Sequence, residues 1–209
     1  MKVIDKLKWR YATKKFDSKK ILPKTKIDIL KDAFNLTATS YGLQPIRLVI
    51  FSDKKIQAEL VQHSMDQEQV EQASHILVFC IESIIDERYI KSYFKRIKNI
   101  RSTPESILKP FREFLIEDFE ERSKEYIEDW ATKQAYLAMG NLITVCALEE
   151  IDACPMEGFT PEAYDKILNL NDQNLQSVLV MPIGYRAEDD MFADFKKVRK
   201  TVAESTLEL

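Results

Sequence analysis

The segment Ser74–Ser83, SHILVFCIES, constrains this chain more than any other. Its apolar run does not alternate with polar residues, so it reads as a strand buried on both faces, with layers packed on either side. Leu175–Tyr185, LQSVLVMPIGY, reads as a second buried strand, Arg47–Ser52 as a third and Asp152–Met156 as a short fourth. Helical spacing fills much of the rest. Residues 3–11 carry Val3, Ile4, Leu7 and Tyr11 in register, and the stretch after Pro23 carries Ile27, Leu30, Ala33 and Phe34, ending near Thr37 to Gly42. Lys54–Ser64 and a stretch from about Pro161 are further helices. Asp129–Glu150 predicts one long helix with Gly140 inside it, where glycine costs about 1 kcal/mol against alanine unless a close helix crossing compensates. Between these elements, residues 86–130 are charged and aromatic and divided by Pro104 and Pro110, which predicts several helices. The expectation is a single α+β domain spanning 1–209, with a helical excursion at about 86–130 covering a pocket.

Charge and composition exclude several classes of function. Lys and Arg number 31 against 34 Asp and Glu, a net charge of −3, which offers no general attraction to nucleic acid or an anionic membrane. No apolar stretch approaches the roughly 20 residues of a membrane span. The N-terminal MKVIDKLKWRYATKKF is too interrupted by charge to be a signal peptide. The three cysteines, Cys80, Cys146 and Cys154, form no CxxC pair, and Cys80 and Cys146 lie in apolar runs. They read as buried reduced thiols, which predicts a cytoplasmic protein. With only His63 and His75 beside them, no metal-ligand spacing is present, and no metal is expected.

Four segments can carry chemistry, and each also has a plain structural reading. In Arg10-Tyr11-Ala12-Thr13-Lys14-Lys15-Phe16-Asp17, Arg10 and Lys14 would share a face if the first helix continued, and two cations there could clamp an anion. A solvated cationic face is the alternative. Thr39-Ser40-Tyr41-Gly42-Leu43-Gln44-Pro45 combines small hydroxylic residues with a glycine that admits close backbone approach, and Gln44 can pair with a heterocycle edge. It is otherwise a helix-to-strand turn. Pro155-Met156-Glu157-Gly158-Phe159 can aim a backbone N–H at a ligand, or be an ordinary turn. Lys196-Lys197-Val198-Arg199-Lys200 is a basic knot or a solvated tail.

Taken in order, RYATKKFD, SYGLQP, ASHILVFC, PMEGF, VMPIGYR and KKVRK resemble the nitroreductase family, in its branch of compact NAD(P)H-dependent flavin reductases, over essentially the whole chain. The resemblance implies a central, mainly antiparallel sheet flanked by helices. It also implies an intertwined homodimer that packs through the long helix and exchanges C-terminal extensions, with FMN at each subunit interface. Arg10, Lys197 and Arg199 would meet the FMN phosphate, and Lys14 the pyrimidine edge. Tyr11 and Ala12 would contribute backbone. Thr39, Ser40 and Gly42, beside Gln44, would come from the other subunit. Glu157 and Gly158, after Pro155 and Met156, would set a backbone N–H at flavin N5, while Asp66, Gln67 and Gln69 would face the polar end of the ring. Only four glycines are present and no GxGxxG, so side-chain cations would have to hold the phosphate. Departures from the family pattern are Tyr11-Ala12 for His-Ser, Ala38-Thr39-Ser40 for Pro-Ser-Ser, Ile46 for Trp, and Gln69 where some relatives have Lys.

The activity so implied is NADH- or NADPH-dependent reduction of small nitroaromatic, quinone or related acceptors by ping-pong hydride transfer through FMN, without a side-chain general acid. Lys14 would act as electrostatic stabiliser of the reduced flavin. The alternatives are pteridine or other flavin-linked reduction on the same scaffold, a non-catalytic FMN-binding protein, and a helical dimeric module without flavin.

Overall fold

The computed structural model describes residues 3–209; Met1 and Lys2 of the charged N-terminal stretch lie outside it. In chain order the elements are α1 (Val3–Trp9), α2 (Lys24–Asn35), β1 (Ile46–Phe51), α3 (Lys54–Val61), α4 (Gln69–Gln72), β2 (His75–Glu82), α5 (Glu87–Arg101), α6 (Glu105–Glu120), α7 (Lys124–Leu148), β3 (Asp152–Ala153), α8 (Pro161–Ile167), β4 (Leu175–Gly184) and α9 (Val202–Ser205). The four strands form one antiparallel sheet in the order β1-β2-β4-β3. The fold is α+β, a central antiparallel sheet flanked by helices, as expected.

The unbroken apolar run explains why β2 is central. Leu77, Phe79 and Ile81 enter a core shared with α2 and α7 through Leu30, Ala135 and Leu142. Ile76, Val78 and Cys80 enter a second core on the other face with Leu60, Tyr164 and Val180. A register irregularity between Phe79 and Cys80 marks the pairing with β4. At one end of β2, the Glu82 N–H donates to Pro45 O at 3.0 Å. Towards the other end, Ile76 lies opposite Pro182, whose carbonyl accepts from Cys154 N at 3.0 Å. These two points are about 20 Å apart along the strand.

Several expectations are corrected. Pro110 does not divide a helix; it sits inside α6, and only Pro104 marks a start, at the N-cap. The long helix begins at Lys124 rather than Asp129, because Ser123 caps it by accepting from Tyr126 N at 3.2 Å. The first helix ends at Trp9, so Arg10 and Lys14 do not share a helical face. Ala12 instead bridges Ala153, and Thr13 N donates to Ala153 O, adding this segment to the sheet edge. Gly140 has no close crossing inside the chain: a Cβ there would meet nothing within 4 Å. It lies in an exposed stripe of α7 with Tyr136, Leu137 and Leu148.

Candidate functional site

The two chain ends build a cationic cluster. Arg10 follows α1 directly, its N–H donating to Lys6 O at 3.0 Å. Lys197 returns to the same place, its Nζ donating to Lys8 O at 2.7 Å. Burial lowers the Arg10 pKa, and Arg199 lowers it further. Burial also lowers the Lys197 pKa, followed by Arg10, Arg199 and Arg186. Among the described residues none of Arg10, Lys197 and Arg199 pairs with a carboxylate. Three mutually repelling cations without a counter-charge fit a phosphate dianion.

Next to the cluster lies a polar wall. Lys14 Nζ and Gln69 Nε2 each approach Cys154 Sγ at 3.8 Å. Gln69 Nε2 also donates to Gln67 Oε1 at 2.8 Å, and Gln67 Nε2 to Gly158 O at 3.2 Å. Cys154 is buried, which raises its thiol pKa, with Lys14 opposing that shift. Gly158 packs tightly: an added Cβ would stand 3.0 Å from Met65 Sδ and 3.3 Å from Gln67 Nε2. Met156 N is used by Val180 O, whereas the Glu157 and Gly158 N–H groups have no acceptor among the described residues. Glu157 is held by Tyr136 of α7, whose hydroxyl donates to Oε1 at 2.7 Å. The structure therefore brings together Arg10, Lys14, Gln67, Gln69, Met156, Gly158, Lys197 and Arg199 with their neighbours.

Other expected site residues lie elsewhere or act differently. Asp66 is exposed on a left-handed turn (φ 53°) and makes no hydrogen bond to this wall among the described residues. Tyr11 contributes more than backbone, since its hydroxyl donates to Asp190 Oδ2 at 2.8 Å. Thr39, Ser40, Gly42 and Gln44 sit towards the Glu82 end of β2. Their turn is strained: Tyr41, Gly42 and Gln44 all have positive φ. Ser40 N donates to Gln134 Oε1, Gln44 N to Thr39 Oγ1, and Tyr89 Oη reaches both Leu43 O and Gln44 O at 2.9 and 2.8 Å. Burial pushes the Tyr89 phenol up to about 12. Gln44 spends a side-chain donor on Asn35 O at 3.1 Å, so it is not free to pair fully with a heterocycle. This turn borders a cavity of about 460 Å³ whose far walls include Phe34, Arg47, Glu82, Tyr93 and Arg96.

Sequence reasoning missed the residues that fasten these parts together. Asp190 reads as the end of a solvated acidic run, Glu188-Asp189-Asp190, yet it is only 4% exposed. Arg186 is clamped by Asp152, from its backbone N at 2.8 Å and its Nε at 2.7 Å, and its guanidinium covers the rings of Trp9 and Tyr11 at 4.3 and 4.6 Å. The signal for Arg186 in the sequence is its place at the end of the VMPIGYR motif.

Comparison with known proteins decides the family. The nitroreductase family model matches residues 7–185. The chain belongs to the nitroreductase family. A Staphylococcus aureus relative named "Putative NAD(P)H nitroreductase SAB2397c" is 30% identical over 195 residues, covering 90% of this chain and 87% of its own length. The solved structure of the nitroreductase-like ydfN protein of Bacillus subtilis superposes with a TM-score of 0.87 at 20% identity, over 99% of this chain and 98% of that one. A protein of Exiguobacterium sibiricum solved in complex with FMN superposes with a TM-score of 0.84 at 15% identity, over 100% and 98%. These structures share the fold. Family and relatives together support an oxidoreductase. No helix among the described residues of this nitroreductase is long and apolar enough to cross a membrane.

Proposed function

We propose that this nitroreductase is an FMN-dependent oxidoreductase that uses NADH or NADPH to reduce small nitroaromatic, quinone or related acceptors by a ping-pong scheme. The observation that carries the reading is the cluster of Arg10, Lys197 and Arg199, drawn from opposite ends of the chain with no carboxylate among them. When bound, FMN supplies the two-electron chemistry that the side chains lack. Arg10, Lys197 and Arg199 hold the phosphate. Lys14, Gln67 and Gln69 meet the polar edge of the ring, and Lys14 favours whichever state carries more negative charge there. The unengaged N–H groups of Glu157 and Gly158 donate towards the ring, and the Tyr136 hydroxyl keeps the Glu157 carboxylate turned to α7. Among the described residues of this wall none is placed as a general acid, and the acceptor would take its proton from water.

The working unit in this reading is a cytoplasmic homodimer with one domain per chain. The stripe of Tyr136, Leu137, Gly140 and Leu148 on α7 is exposed, and a Cβ at Gly140 would meet nothing within 4 Å among the described residues. That is a surface suited to a second copy. Packing of two copies along α7 would bring Thr39, Ser40, Gly42 and Gln44 of one chain to the cofactor of the other. The excursion α5–α6 would cover the pocket.

The test is an absorption spectrum of the purified protein before and after NADH and NADPH under anaerobic conditions. The expected result is a flavin spectrum that bleaches with at least one nicotinamide, with FMN released on denaturation. Colourless protein that takes up no FMN, or release of FAD or riboflavin, rejects the reading. Bound FMN that neither nicotinamide reduces would favour a flavin carrier.

A further inference from the structure

Asp190 binds the first cation-bearing segment through its side chain and caps the turn that leads into the second. Its Oδ2 accepts from Tyr11 Oη at 2.8 Å, Lys14 N at 3.0 Å and Lys15 N at 3.2 Å. Its Oδ1 accepts from Phe192 N at 3.1 Å, which caps the 3-10 turn Met191–Asp194 leading into Lys197 and Arg199. The same two segments are laced by Ala187 N to Lys15 O and Asp17 N to Tyr185 O. Those bonds, however, fix neither the backbone of Lys14 nor the turn after residue 190. A carboxylate suits this place because two acceptor oxygens must serve four donors in a buried setting. The charged groups facing it are Arg186 above Tyr11, Lys14, Lys15 with its partner Asp189, and Asp152, which is held by Arg186.

We propose that Asp190 is a positioning residue that assembles the anion site: it sets the backbone from which Lys14 projects and anchors the strand of chain that carries Lys197 and Arg199 to Arg10. The proposal rests on the FMN reading. Its consequence is selective. Loss of Asp190 loosens the phosphate cations more than the ring wall, because Gln67, Gln69, Cys154 and Gly158 are held by bonds that do not involve it.

The experiment compares FMN with riboflavin, which lacks the phosphate, by fluorescence titration of apoprotein. The wild type, Asp190→Asn and a control, Asp165→Asn, are measured together. Asp165 is also a buried carboxylate that accepts from backbone, Ser177 N at 2.8 Å, in the core away from the cations. Asparagine at 190 keeps one acceptor oxygen and presents an NH2 to the remaining donors. Asp190→Asn is expected to cut the preference for FMN over riboflavin about tenfold, the effect of weakened charged hydrogen bonds. Asp165→Asn is expected to lower Tm while leaving that preference as in the wild type. An unchanged preference in folded Asp190→Asn overturns the proposal and leaves Asp190 as a brace. An equal loss in Asp165→Asn does the same. Wild type that binds FMN no better than riboflavin overturns the phosphate reading and this proposal together. If Asp190→Asn does not fold, Tyr11→Phe removes one donor and leaves the carboxylate. A fall in the preference of about threefold supports the proposal, and no change overturns it.

Discussion

The two ends of β2 are built differently. Around Cys154 and Arg10, separate stretches of chain are tied by buried carboxylates: Asp152 to Arg186, and Asp190 to Tyr11, Lys14 and Lys15. Arg10, Lys197 and Arg199 gather there, and among the described residues none of them pairs with a carboxylate. Around Glu82, a short turn with positive φ is pinned by the Tyr89 hydroxyl and by Gln134, beside a cavity that Arg47 and Arg96 line. Arg47 there is already paired with Glu82 at 3.2 Å. In the proposed reading the first end receives the FMN phosphate. The second is organised to hold a backbone shape. In the proposed homodimer each chain would lend its turn to the other's cations.

The strongest way to break this contrast is at the cations. Arg10→Met should weaken FMN binding roughly 10–100-fold, the scale of 1.5–3 kcal/mol for a charged hydrogen bond, with little change in the potential of the flavin that remains bound. Equilibrium dialysis with a redox titration checks both; a shifted potential with unchanged affinity would contradict the phosphate role. The second test asks whether two chains are needed. In a lone chain Gly140→Ala meets no neighbour and should stabilise α7 by up to about 1 kcal/mol. Against a partner helix, Gly140→Leu should instead destabilise the dimer by about 1–3 kcal/mol and release flavin with it. Sedimentation and thermal melts of both variants decide; a monomer that retains stoichiometric FMN rules out the shared site.

A third, smaller effect separates Lys14 from Arg10. Lys14→Met should leave oxidised FMN bound nearly as before and lower its two-electron potential by roughly 20–45 mV, equivalent to about 1–2 kcal/mol. Loss of affinity at constant potential would move Lys14 to the phosphate. The smallest effect belongs to the other end of β2. Tyr89→Phe removes the hydroxyl that pins Leu43 and Gln44, and should cost about 1 kcal/mol. Amide exchange at Gly42 and Leu43 should quicken while exchange at Thr13, bonded to Ala153, stays slow. Equal quickening at both would mean that the two ends are not independent.

Much of this was legible without coordinates. The unbroken run Ile76–Ile81 dictated a strand covered on both faces, and both cores are there. Pro161 marked the start of α8, where its missing N–H is harmless. The cations of KKVRK and RYATKKF were visible as chemistry, because charge is written in the residue type. Their meeting was not, since nothing local links position 10 to position 197. Pro110 misled for a related reason: a proline weakens an isolated helix, but the packing of Leu108, Leu115 and Phe119 carries α6 through it.

The sequence by itself determined the layers, the strand at their centre and the kinds of charge available, since hydrophobic periodicity and residue chemistry are local properties. Only the tertiary structure decided that α1 stops at Trp9, that Lys14 projects from a sheet-edge segment, and that Asp190 is shut away rather than solvated. Each of these depends on bonds between residues more than 130 positions apart, such as those joining Tyr11 and Lys14 to Asp190. A buried carboxylate and a surface carboxylate have the same letter; the donors that surround it, assembled when both chain ends close on the sheet, make the difference.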